Sequence, residues 1–128
     1  MSFVQTEAPT IPVVLPNGKV LKAEIAANLR VGLMFREALD EAMLFVHAVA
    51  GHYPMWMYHT LIPLDMVWLD SASSIIEIVE GAQPCNAAPC PKYGGVAVSK
   101  YALEMRSGSV RRYGLKIGQK LLLGGFHG

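Results

Sequence analysis

The chain has 128 residues and a mass of 13.9 kDa, enough for one domain that buries about two-thirds of its unfolded surface and needs no staple to fold. Apolar residues make up 52% and charged residues 16%, which excludes intrinsic disorder and a solvated coiled coil. The net charge of +1 gives no overall field toward nucleic acid or anionic lipid.

Residues 1–9 carry neither a basic stretch nor an apolar core of the secretory kind, so localisation stays open. The Asn17-Gly18 pair is a strong hairpin signal, and it joins Ile11–Leu15 to Lys19–Ile25. Within the second of these, Leu21, Ala23 and Ile25 alternate with Lys22 and Glu24 and give one wet face. Residues 26–37 hold no proline and set Leu29, Gly32, Leu33 and Arg36 at helical spacing, which predicts a short or bent helix.

From Ala42 to Leu64 there is no Lys, Arg, Asp or Glu. A spanning helix needs about 20 apolar residues, but His47, His52 and His59, with Gly51, Pro54 and Pro63, make this run a poor one. No membrane span is expected; the run reads as core folded back on itself, with Met43–Val46 and Met55–Tyr58 as compact apolar segments. Leu64–Asp70 and Ser74–Val79 form a second hairpin across a polar turn. Pro84, Pro89 and Pro91 make residues 85–95 a loop. Beyond it, Tyr101, Leu103 and Met105 face one way, and Lys100, Ala102 and Glu104 the other.

Ser109 has the chemistry of an N-cap for one helical turn closed by Gly114, and Gln119–Leu123 makes a last strand. The expected fold is mainly β: a small single-domain barrel or sandwich of about eight short strands with one or two short helices. Residues 1–18 form an extension and first strand, 19–123 the domain, and 124–128 a tail.

Asp65 is the most informative side chain. It follows 23 uncharged positions and sits between Leu64 and Met66, where an unpaired carboxylate costs several kcal/mol. A structural ion pair with Arg36 is the expected compensation, with Thr60 as a hydroxyl donor. The catalytic alternative makes Asp65 and His59 the acid–base pair of a hydrolase or lyase. Lacking a nearby nucleophile or second carboxylate in sequence, it is the weaker of the two.

His47, His52 and His59 stand at i, i+5 and i+12, a spacing that fits neither one helix face nor one strand face, so no metal site is assigned. Cys85 and Cys90, five apart on a proline-rich loop, are either a disulfide clip or two free thiols. No phosphate-binding loop or nucleophile elbow is present, and no cofactor is expected. Nine of the ten acidic residues precede position 81 and seven of the eleven basic residues follow it. The basic ones are not interleaved with aromatics, which argues against a nucleic-acid surface.

Several strings together resemble one family. Gly32-Leu33-Met34-Phe35-Arg36-Glu37, Met43-Leu44-Phe45-Val46 and Trp56-Met57 with Thr60-Leu61-Ile62-Pro63-Leu64-Asp65-Met66 are similar to those of the family called domain of unknown function 192. Pro84-Cys85, Pro89-Cys90-Pro91, Tyr101-Ala102-Leu103-Glu104 and Gly114-Leu115-Lys116-Ile117-Gly118 continue the match in order. The resemblance implies a small, mainly β prokaryotic domain, often exported, with no assigned activity. His59 stands where the family usually has Asn, and Pro54-Met55 where it usually has Ser-Phe.

The function expected from these residues is a non-enzymatic small-ligand-binding or accessory module. Its site would be a rim of Tyr53, Trp56, His59, Thr60 and Asp65, with Arg36 beneath. A homodimer using exposed apolar surface is the remaining alternative; mean hydropathy is +0.32.

Overall fold

In a computed structural model the described residues are 9–124; the start of the N-terminal extension and the end of the C-terminal tail lie outside them. The Asn17-Gly18 hairpin forms as expected. Strands β1 (Thr10–Val14) and β2 (Val20–Ile25) pair antiparallel with Val14 opposite Val20. Asn17 Oδ1 accepts the Lys19 amide at 2.9 Å, and Gly18 takes a φ of 89°.

Residues 26–37 do not form the expected helix. Asn28 Oδ1 accepts the amides of Arg30 and Val31, and Gly32 and Phe35 adopt φ of 48° and 62°. Local turns thereby replace the helical ladder, as side-chain acceptors at such positions favour. Gly32 is required there: a Cβ would lie 2.9 Å from the Phe45 ring. The helical spacing still has a consequence, because Leu33 is buried beneath the turn.

The middle of the chain supplies β3 (Ala42–Gly51), the two-residue β4 (Met55–Trp56) and β5 (Leu64–Leu69). The second hairpin forms as β5 and β6 (Ile75–Ala82), turning where Asp70 Oδ1 accepts the amides of Ala72 and Ser74. The proline-rich segment is loop apart from β7 (Lys92–Tyr93), which pairs with β4 in a small second sheet. Strand β8 (Ser99–Arg106) is followed by helix α1 (Ser109–Tyr113) and β9 (Leu122–Leu123), shorter than the expected last strand.

The main sheet has seven strands in the order β6-β5-β8-β3-β2-β1-β9. It curls so that the chain beside its two edge strands touches at one corner, with Ser74 bridging Lys120 and the Leu121 amide donating to the Ser73 carbonyl at 3.0 Å. The expected mainly β fold is thus a half-barrel sheet with a small companion sheet and one short helix.

Alternation along the strands divides the core in two. Leu44, Val67, Leu69, Tyr101 and Leu103 pack on one face with Val13 and Leu21. Met43, Phe45, Leu64, Met66, Trp68 and Ala102 pack on the other, beneath Leu33, Leu39 and Met57 from the connecting segments. This second, loop-covered layer holds the candidate site.

Candidate functional site

The segments around residues 29–34 and 53–58 do not close over the sheet. They leave a cleft of about 480 Å³, with Phe45, His47 and Glu104 contributed by β3 and β8. Its walls are mostly aromatic and aliphatic, and Arg30 and Lys92, both exposed, stand on its border. The volume lies within the range of small-molecule sites, about 300–1,000 Å³.

The aromatic wall is braced from behind. His47 stacks on Tyr53 with ring centroids 3.6 Å apart, and the Tyr53 hydroxyl donates to the Val49 carbonyl. The Trp68 indole donates to the Tyr53 carbonyl at 2.9 Å. Trp68 in turn lies so close to Gly94 that a Cβ there would be 2.4 Å from the indole ring. On the other side Trp56 tilts against Tyr58 at 5.1 Å. Desolvation, with a smaller contribution from Lys100, holds the His47 imidazole below its ordinary pKa.

Glu104 is the unusual group. It sits on the central strand β8, flanked by Met43 of β3 and Met66 of β5, and is only 4% exposed. Among the described residues its carboxyl makes no hydrogen bond or ion pair, and it lines the cleft. Burial pushes its pKa up to about 8, so at neutral pH the carboxyl keeps its proton.

The alternation expected for residues 100–105 is present, and the face that carries Ala102 and Glu104 is covered as well. A signal for this exists in the sequence. Met43–Val46 and, Asp65 apart, Leu64–Leu69 are apolar at both parities, as in strands buried on both faces of their sheet. A strand lying between them inherits the same burial.

The expected site residues divide. Tyr53, Trp56 and Thr60 line the cleft. His59 lies beside it, with φ 53°, stacked on Phe35 at 4.6 Å and tilted against Tyr58 at 3.8 Å. Asp65 is on the opposite face of the sheet from Met66 and Trp68, and fully buried.

The expected pairing of Arg36 with Asp65 does not occur. Arg36 instead holds Glu24 in a bidentate pair, with Nη1–Oε2 2.6 Å and Nη2–Oε1 3.0 Å. That hydrogen bond lowers the Glu24 pKa. The Asp65 carboxylate accepts three backbone amides: Gly81 at 2.9 Å on Oδ1, and Gly108 at 3.0 Å and Val110 at 2.9 Å on Oδ2. The cap of α1 is therefore supplied from β5. The residue at the N-cap position is Gly108, φ 96°, rather than Ser109, while Gly114 closes the helix as expected. With its oxygens committed to amides and facing away from the cleft, Asp65 makes no contact of acid–base type with His59.

The three histidines have separate surroundings: His47 against Tyr53, His52 at 3.2 Å from the Gly95 carbonyl, and His59 between Phe35 and Tyr58. No cluster of three or more His, Cys, Asp or Glu side chains suited to a metal occurs among the described residues. Cys85 and Cys90 are joined, with sulfurs 2.09 Å apart. The Cys85 amide bonds to the Met57 carbonyl and the His59 amide to the Cys85 carbonyl, which ties the clip to the outer cleft wall. No helix among the described residues is long and apolar enough to cross a membrane.

The sequence profile of DUF192, described as Uncharacterized ACR, matches residues 13–123. Two solved structures are similar. One, a Sinorhizobium meliloti protein provisionally assigned as a transcription regulator, is 27% identical with a TM-score of 0.81, over 96% of this chain and 100% of that one. The other, a protein of unknown function from Novosphingobium aromaticivorans, is 26% identical with a TM-score of 0.77, over 88% of this chain and 83% of that one. No curated protein matches the chain significantly.

Proposed function

The chain belongs to the DUF192 family, and we propose that it is a non-enzymatic module that binds a small organic molecule in the cleft between residues 29–34 and 53–58. The observation that carries this reading is Glu104. A carboxyl on a residue only 4% exposed, with apolar neighbours on both adjacent strands, is costly to ionise, and native cores keep few such groups. Leucine at this position would serve the core better. A carboxyl kept there, at the edge of a preformed and mostly apolar cavity, is of use to something that enters the cavity.

Among the described residues that line the cleft, none is a nucleophile hydrogen-bonded to a base. Asp65 and His59, which would have to act together in a hydrolase or lyase, are not in contact; the carboxylate serves as a backbone cap. Binding without turnover is the simpler chemistry for these walls.

A fragment screen followed by amide shifts in two-dimensional NMR tests the proposal. Compounds of about ten to fifteen heavy atoms are expected to move the signals of Gly32, Phe45, Trp56 and Glu104 together, with dissociation constants in the millimolar range or tighter. Glu104→Leu is expected to fold with equal or higher stability and to lose the hits that contact the carboxyl. A screen in which no compound moves these signals contradicts the proposal.

A further inference from the structure

We infer that the cleft selects a protonated organic amine, its ammonium seated on Glu104 and its apolar body held among Phe45, Tyr53, Trp56 and Tyr58. This rests on the ligand-binding reading above and adds the chemical class.

Two independent features of the cavity point the same way. The first is Glu104, a residue only 4% exposed, whose carboxyl lines the cleft and has no protein donor among the described residues. An ammonium offers it three donors and a full charge, and charge-assisted hydrogen bonds are about twice as strong as neutral ones. The second is the density of aromatic rings on the same cavity, whose faces attract cations within about 6 Å. An anionic ligand gains nothing from the ring faces and is repelled by the carboxylate once it ionises.

The groups that face Glu104 leave this place open. Strand β3 presents Met43, Phe45 and His47, and β5 presents Met66. The covering segments add Arg30, Tyr53, Tyr58 and Thr60, and β7 adds Lys92. Arg30 and Lys92 are exposed, where solvent and salt screen their charge from the interior. His47 is held below its ordinary pKa by burial and is neutral above pH 6.5, so it does not compete with the ammonium there.

Because Glu104 keeps its proton up to about pH 8, seating an ammonium on the carboxylate releases that proton. Affinity therefore rises with pH by close to tenfold per unit below 8, while the amine, with an ordinary pKa near 10, stays charged.

The experiment is calorimetric titration of the full chain with tyramine, with its neutral analogue 4-propylphenol, and with the anionic 3-(4-hydroxyphenyl)propionate. Tyramine is expected to bind at least tenfold more tightly than 4-propylphenol at pH 7.5, and the anion more weakly than both. Its affinity should increase about eightfold between pH 6.5 and 7.5. Glu104→Gln should abolish the amine preference and the pH slope while keeping the weak phenol affinity. Since the slope is read on the unaltered protein, the test stands even if the variant folds poorly. Equal affinity for tyramine and 4-propylphenol, or a pH-independent amine affinity, overturns the amine assignment and leaves the binding reading intact. Failure of all three probes, with no other compound moving the cleft signals, overturns both.

Discussion

Asp65→Ala is expected to lower the melting temperature by roughly 10 °C or more, or to leave the protein unfolded at 37 °C. The substitution removes one acceptor group but orphans three backbone amides, those of Gly81, Gly108 and Val110. A buried amide left without a partner, as that of Val110 would be, costs about 1–3 kcal/mol. The half-buried one of Gly81 and the exposed one of Gly108 cost less because water reaches them. A loss on the order of 4 kcal/mol follows, and a domain of this size moves by about 4 °C per kcal/mol. Asp65→Asn should fall between: its amide group can replace only one oxygen, and pointing it at Gly81 leaves the two bonds to α1 in place. Urea denaturation of the three proteins checks the order wild type, Asn, Ala. An alanine variant within about 0.5 kcal/mol of wild type would show that the cap is not what keeps α1 on the sheet.

The second large effect is a fall in stability with rising pH. Glu104 has an ordinary pKa of 4.5 when unfolded and one of about 8 in the folded chain. Between these values the folded state binds the extra proton, so stability declines as pH rises through the window and levels off above it. His47 and Glu24 act with the opposite sign because their folded pKa values are lowered. Their contributions are complete by about pH 6.5, the unfolded value of histidine. Between pH 6.5 and 8 the Glu104 contribution alone is worth about 1.5 kcal/mol. Glu104→Gln, which cannot ionise, should be flatter than wild type by that amount in the same interval. Equal slopes for the two proteins would place the carboxyl in contact with water.

Much of the scaffold was legible in the chain. The Asn17-Gly18 turn, the polar break after Asp70 and the clean alternation of residues 100–105 each act locally, so strand pairing follows from neighbours in sequence. Residues 26–37 misled because helical spacing and a covering turn place apolar groups alike. What decides between them is Asn28 taking the next amides and Gly32 fitting against Phe45, and only the second of these involves a distant residue.

The site was half legible. Tyr53, Trp56 and Thr60 stand out by composition and do line the cleft. Asp65 was rightly singled out as a carboxylate in need of a partner, but its partners are amides 16, 43 and 45 residues away, which carry no side-chain signature. Glu104 is not legible as a site residue, because alternation separates the two faces of residues 100–105 without telling which of them is covered. Whether the Glu104 face meets water depends on the segments folded over it.

The most direct test is a carbon-13 titration of the Glu104 carboxyl in the free protein and with tyramine bound. A midpoint of about 8 is expected in the free protein, moving well below that when the amine is seated. A free-protein midpoint near the ordinary 4.5, unmoved by the amine, would contradict it.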